Sequence, residues 1–197
     1  MIHDTFGCNR PVTLMDKFNG KYRIPSARAS WWDYSRDAAY FLTMCTRRRK
    51  CFFGSITEHK MILSPTGAIA NASWLEITQH ARNIELGPYV VMPNHVHGIL
   101  ILAGNDAARI TSPRQDDCIQ KSPGQLRYRN PGANSISTII GGYKSAVSRN
   151  ARRVGLEFGW QPRFHDHIIR DANEFQRIAT YIMNNPAKWN DDKFHHL

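Results

Sequence analysis

Residues 39–46, AYFLTMCT, combine aromatic and β-branched side chains and predict a first strand. The next apolar stretch, CFFGSITEHKMIL (51–63), predicts a hairpin or a strand broken around Thr57–His59. Trp74, Leu75, Ile77 and Ala81 then mark one face of a helix. Two apolar runs, 84–92 and 95–102, flank a Pro93-Asn94 turn and predict adjacent antiparallel strands. SISTIIGGYKSAVSRNARR (135–153) predicts a helix with a basic face, weakened at Gly141-Gly142 so that a kink is allowed there. WQPRFHDHIIR (160–170) predicts the last strand, and Asp171 caps a final helix that ends at the Asn185-Pro186 step. In that helix Phe175, Ile178 and Ile182 form the buried stripe; Tyr181 and Asn185, four apart, share its flank.

Without the hairpin, this order approximates βαββαβ, a ferredoxin-like α+β arrangement. It predicts an antiparallel sheet with helices on one face and the other face open to a substrate. Two stretches fall outside the pattern. Residues 1–35 are polar and basic with scattered aromatics and read as an N-terminal arm. Residues 104–134 are polar, proline-containing and aperiodic, and read as a flexible insertion within a single domain of residues 36–197.

Composition adds a partner class. With 42% hydrophobic residues in 197, the chain has the make-up of a globular domain. No apolar run approaches the ~20 residues of a membrane span. The N-terminus lacks a signal-peptide core, which predicts a cytoplasmic protein. A net charge of +10 favours a polyanion. The charge gathers at Arg47–Lys50 and again at Lys144, Arg149, Arg152, Arg153, Arg163 and Arg170. The cysteines, Cys8, Cys45, Cys51 and Cys118, form no CxxC pair, so free thiols are expected rather than a structural zinc site.

The candidate chemistry lies in the strand YVVMPNHVHGILILA. His95 and His97 point to the same face, about 7 Å apart at Cα, while Val96 points to the other. Two imidazoles so placed could converge on one metal ion, although an HxH pair alone is more often a packing feature. Tyr143, beside Lys144 on the basic helix, is a second candidate tyrosine, but Val147 rather than a ligand-type residue stands four positions on. His165 and His167 form a second HxH around charged Asp166; His59, His80, His195 and His196 have no partner pattern. Trp31, Trp32 and Tyr34 suit either base stacking or packing of the arm.

Taken together, Tyr40-Phe41-Leu42-Thr43, Val91-Met92-Pro93-Asn94-His95-Val96-His97, Trp160-Gln161-Pro162-Arg163-Phe164, Asp166-His167, Tyr181-Ile182 and Asn185-Pro186 resemble the HUH single-tyrosine transposases. The resemblance is strongest to the REP-associated tyrosine transposases and spans about residues 21–190. It implies that His95, His97 and Asn185 hold a divalent metal, Mg²⁺ or Mn²⁺, and that Tyr181 is the nucleophile. The implied reaction nicks and rejoins single-stranded DNA at hairpin-forming repeats through a 5′-phosphotyrosine adduct, in a monomer or a homodimer. Lys144, Arg149, Arg152, Arg163, His167, Arg23 and Arg47 are the expected DNA contacts, and the N-terminal arm would help read bases near the hairpin foot. Two other readings stay open: a non-catalytic module that binds structured single-stranded nucleic acid, and a metal hydrolase for which Tyr181 is dispensable.

Overall fold

The computed structural model describes residues 17–18, 21–22, 37–103, 135–192 and 194–195. The expectations for Arg23, Trp31, Trp32, Tyr34, Cys8, Cys118, His196, the rest of the arm and the 104–134 insertion lie outside the described residues. The chain divides into two units, Met1–Trp31 and Trp32–Leu197. In the first, β1 (Lys17–Phe18) and β2 (Lys21–Tyr22) pair antiparallel, with Lys17 opposite Tyr22.

The second unit runs β3 (Ala38–Cys45), β4 (Gly54–Thr57), β5 (Lys60–Leu63), α1 (Pro65–Leu75), α2 (Ile77–His80), β6 (Ile84–Met92), β7 (His95–Leu102), α3 (Ile136–Arg153), β8 (His165–Ile169) and α4 (Ala172–Asn184). Its main sheet has the order β6-β7-β3-β8, and every neighbouring pair is antiparallel. β7 therefore lies between β3 and β6, which α1 connects: the split βαβ of the ferredoxin-like fold. β4 and β5 form the separate hairpin the sequence expects, turning through Glu58 and His59. Both turn residues are left-handed (φ 50° and 62°), as a two-residue hairpin turn with the twist of its strands requires.

β7 is apolar on both faces because both are covered. Val96, Leu100 and Leu102 join Tyr40, Leu42 and Met44 of β3 in a core closed by Ala70 and Trp74 of α1 and by Ile139, Ile140, Tyr143 and Val147 of α3. On the other face Ile99 packs with Ile169 and with Ile178 and Ile182 of α4, flanked by Phe41, Val90, Ile101 and Phe175. This corrects one expectation. α1 and α3 share a face, but α4 crosses to the second, where its Phe175–Ile178–Ile182 stripe finds apolar partners. The second face is thus not open at the histidines.

Helix starts follow the capping chemistry in the sequence. Ser64, Ser135 and Asp171 each accept a hydrogen bond from the backbone N–H three residues on, and Pro65 occupies the first turn of α1. α3 runs unbroken through Gly141-Gly142, so the kink is absent. The buried residues Ile136, Ile139, Ile140, Tyr143, Val147 and Ala151 pin both halves of the helix to the same surface. A Cβ at either glycine would meet nothing within 4 Å. Replacing both by Ala is therefore expected to stabilise the protein by about 0.5–1 kcal/mol per site, read as a higher urea midpoint at unchanged slope.

Candidate metal and tyrosine site

His95 and His97 open β7 directly after the Pro93-Asn94 turn. The turn is clamped from both sides. The Thr46 backbone N–H donates to the Asn94 carbonyl (2.9 Å), the single Thr46 hydroxyl proton is shared between that carbonyl (3.0 Å) and Lys50 O (2.7 Å), and the Phe53 N–H donates to Pro93 O (3.0 Å). Register places His95 between Cys45 and Met92, and His97 between Thr43 and Val90. The two rings lie 4.4 Å apart between centroids and are 0% and 1% exposed.

Each imidazole is oriented by a neighbour. The Asn94 amide donates through Nδ2 to the carbonyls of Arg49 (3.2 Å) and Phe194 (2.7 Å), which fixes its orientation. Its Oδ1 therefore faces His95 Nδ1 at 2.8 Å and accepts from it. The proton of His95 then sits on Nδ1, leaving Nε2 as the ligand atom. Thr43 Oγ1 holds His97 Nδ1 at 2.9 Å, and His97 Nε2 lies 3.3 Å from the Tyr181 hydroxyl. Asn94 orients His95, a contact the sequence reading missed; its position, ahead of an HxH in a tight turn, was the available signal. Asn94→Ala is expected to lower stability by about 1–3 kcal/mol, because buried partners lose their bonds. It should also weaken Mn²⁺ binding by roughly 10–100-fold, measured by titration beside a urea melt.

α4 delivers the other groups. Tyr181 is 41% exposed and meets Phe41 edge-on at 6.2 Å. Partial burial, then the charge of Asp192, raise its pKa; a hydrogen bond from the Asn185 side chain acts the other way. The phenol is therefore protonated at neutral pH. Asn185 caps α4 and is 2% exposed, and its Oδ1 has no hydrogen-bond partner. An orphaned buried carbonyl in the pocket that Tyr181 and Asp192 also line is the donor chemistry a divalent cation would satisfy.

Beyond Asn185 the chain makes a 3₁₀ turn, Pro186–Asp191, anchored by buried Trp189, whose ring lies 6.1 Å from that of His95. The turn returns Asp192 to the site: ligand atoms of His95, His97 and Asp192 all lie within 4.8 Å of one another. The Phe194 ring closes over the pair, 4.6 Å from His95 and 5.8 Å from His97. Neither residue was a sequence candidate, because nothing in the local pattern signals the return. Beside Tyr181 and His97 lies a groove of about 520 Å³ whose lining includes Phe41, Arg49, Arg163 and His165.

The remaining candidates scatter. Tyr143 is buried in the first-face core and donates to Ala70 O at 3.2 Å. Desolvation, and secondarily Tyr89, push its pKa far above the ordinary phenol range, so Tyr143 packs rather than attacks. Lys144 turns inward, donating to the carbonyls of Gln161 (2.7 Å) and Arg163 (2.8 Å) with its ammonium 5.5 Å from the Trp160 ring. Desolvation lowers its pKa. Its role is to fasten the loop that carries Arg163. Arg149 and Arg152 stand on the exposed side of α3 in a shallow surface pocket with Trp160, outside the Tyr181 groove. Arg47 pairs with Glu157 at 3.0 Å on the surface. His167 pairs with Glu174 at 2.9 Å, joining edge strand β8 to α4, while His165 faces the groove.

No family model matches the chain. An uncharacterized protein of Haemophilus influenzae is 29% identical over 184 residues, covering 92% of this chain and 99% of that one. A REP-associated tyrosine transposase of Escherichia coli K12 is 25% identical over 107 residues, covering 54% of this chain and 47% of the relative. The solved structure of a REP-associated tyrosine transposase bound to a REP hairpin superposes with a TM-score of 0.54 at 19% identity, over 86% of this chain and 77% of that one. The chain has a transposase-like fold. Its α+β architecture, with a four-stranded antiparallel sheet, is similar to that of the hairpin-bound enzyme. Among the described residues no helix is long and apolar enough to cross a membrane.

Proposed function

We propose that this protein nicks single-stranded DNA at hairpin-forming sequences and transfers the cut strand through a covalent bond to Tyr181. The observation that carries the reading is the Tyr181 hydroxyl 3.3 Å from His97 Nε2, beside a pair of buried, oriented imidazoles. His95, His97 and the orphaned Oδ1 of Asn185 would hold Mg²⁺ or Mn²⁺, which would polarise the scissile phosphate and offset the charge developing on it.

The chain's own residues account for the rest. Tyr181 enters protonated; its oxygen attacks phosphorus as its proton passes to water. The bond from phosphorus to the 3′ oxygen breaks, and that oxygen takes up a proton. The products are a phosphotyrosine on the 5′ side of the downstream strand and a free 3′ hydroxyl upstream. The phosphodiester is exchanged rather than hydrolysed, so reversal on a second 3′ hydroxyl needs no nucleotide cofactor. Arg49 and Arg163, lining the groove beside Tyr181, are the cations placed to meet flanking phosphates.

The test is to incubate the protein and Mn²⁺ with 3′-labelled single-stranded oligonucleotides carrying hairpins from the DNA flanking its gene. Label that stays with the protein through a denaturing gel, and is lost in His95→Ala, is the expected result. Cut but unattached DNA would mean a hydrolase; tight binding without cleavage would mean a binding module.

A further inference from the structure

We propose that Asp192 is a ligand of the same metal ion, so that the C-terminal turn forms one wall of the metal site. The inference rests on the metal reading above and extends it to a residue outside the HxH strand and the tyrosine helix. The first argument is charge. His95, His97 and Asn185 are neutral ligands at most 2% exposed, and before DNA binds, a dication held by them alone would have no anionic ligand. Among the described residues, Asp192 is the carboxylate whose ligand atom falls within 4.8 Å of those of both histidines.

The second argument is reach. Two ligands of one Mg²⁺ ion lie about 3 Å apart when adjacent and about 4 Å apart when opposite, from bond lengths near 2.1 Å. The observed cluster needs only a small closure to meet that geometry. The third is capacity. One Asp192 oxygen accepts from the Phe194 N–H at 2.8 Å, which orients the carboxylate and leaves the second oxygen available. Asp192 is half-buried and is not a partner in the ion pairs formed among the described residues, and Arg177 and Lys188 line the same pocket beside it. Asn185 and Asp192 also line one pocket together with Tyr181. A set of two imidazoles, an amide oxygen and a carboxylate favours hard, oxygen-preferring ions.

The consequence reaches past affinity. The turn that carries Asp192 also carries Phe194, whose ring covers both imidazoles. Binding the ion should therefore fasten the Asp192–His195 segment over the histidines.

The experiment titrates Mn²⁺ into the full chain without DNA, by calorimetry and by the loss of the free-ion paramagnetic resonance signal. Wild type, Asp192→Asn, Asp191→Asn and His97→Ala are compared, with thermal melts in chelator to establish folding. Asn at 192 keeps an acceptor for the Phe194 N–H, so the turn is preserved. The expected result is binding weakened about tenfold or more in Asp192→Asn, unchanged in Asp191→Asn and lost in His97→Ala. Hydrogen exchange at residues 192–195 should slow on adding Mn²⁺ in wild type but not in Asp192→Asn. Wild-type affinity in Asp192→Asn, with His97→Ala still defective, overturns the carboxylate ligand and leaves the metal reading standing. Wild-type affinity in His97→Ala overturns the metal reading itself, and the role of Asp192 with it.

Discussion

Tyr181→Phe should abolish the covalent protein–DNA adduct while leaving the fold and hairpin binding intact. The substitution removes one oxygen, the atom that attacks phosphorus, and no other described phenol can replace it at this site. Tyr143 is sealed on the opposite face of the sheet, and Tyr89 is bonded to Asn71 at 3.0 Å. Loss of the nucleophile should cost on the order of 10⁴-fold or more in adduct formation. Stability should change by less than about 1 kcal/mol, because the hydroxyl is on a part-exposed side chain and its contact with His97 is long. Retained label on a denaturing gel and a gel shift with the same oligonucleotide separate chemistry from binding. A Tyr181→Phe protein that still retains label would assign the nucleophile elsewhere. One that cuts without retaining label would favour water as the attacking group.

What was legible in the sequence is what depends on short-range pattern. The period-2 alternation of HVHGILIL gives both the strand and the common face of His95 and His97, and the structure places Val96 in the opposite core as that alternation requires. The four-residue spacing of Tyr181 and Asn185 puts both on one side of α4, where Tyr181 reaches His97 and both line one pocket. What was not legible depends on where elements land. The stripe on α4 marked a buried face but not which side of the sheet would bury it. The inward turn of Lys144 follows from the path of the 160–163 loop, whose carbonyls it binds. Asp192 lies seven residues beyond Asn185 and past a proline, where no periodicity survives; tertiary contacts, the packing of Trp189 and the Asn94 bond to Phe194 O among them, bring it back. Asn94 looked like an ordinary turn residue because its three partners, at positions 49, 95 and 194, are mostly distant in sequence.

Gly98→Ala should be among the most destabilising single substitutions in the chain. Gly98 follows the second histidine on β7, opposite Leu42 on one side and Tyr89 on the other. The Trp74 indole lies directly over it. A Cβ at 98 would collide with Trp74 Cζ2 and stand 2.7 Å from Cη2, with Tyr89 Cβ at 3.1 Å. The indole cannot retreat easily. It is 0% exposed, stacks on Tyr89 at 5.7 Å between ring centroids, and abuts Tyr143 edge-on at 5.4 Å. Overpacking of this kind costs about 1–3 kcal/mol, and more where neighbours are rigid, so a loss of about 3 kcal/mol is expected in urea unfolding. Relief must come either from Trp74 or from a shift of β7. A shift of β7 would move His95 and His97 with it, so Mn²⁺ affinity should fall along with stability. Trp74→Phe tests the cause, since a smaller ring frees the space above position 98. In the double variant, Gly98→Ala should cost at least 1 kcal/mol less than in the wild-type background, a coupling expected only of residues in contact. Equal costs in both backgrounds would place the strain elsewhere and remove Trp74 from the account of why the histidine strand carries a glycine.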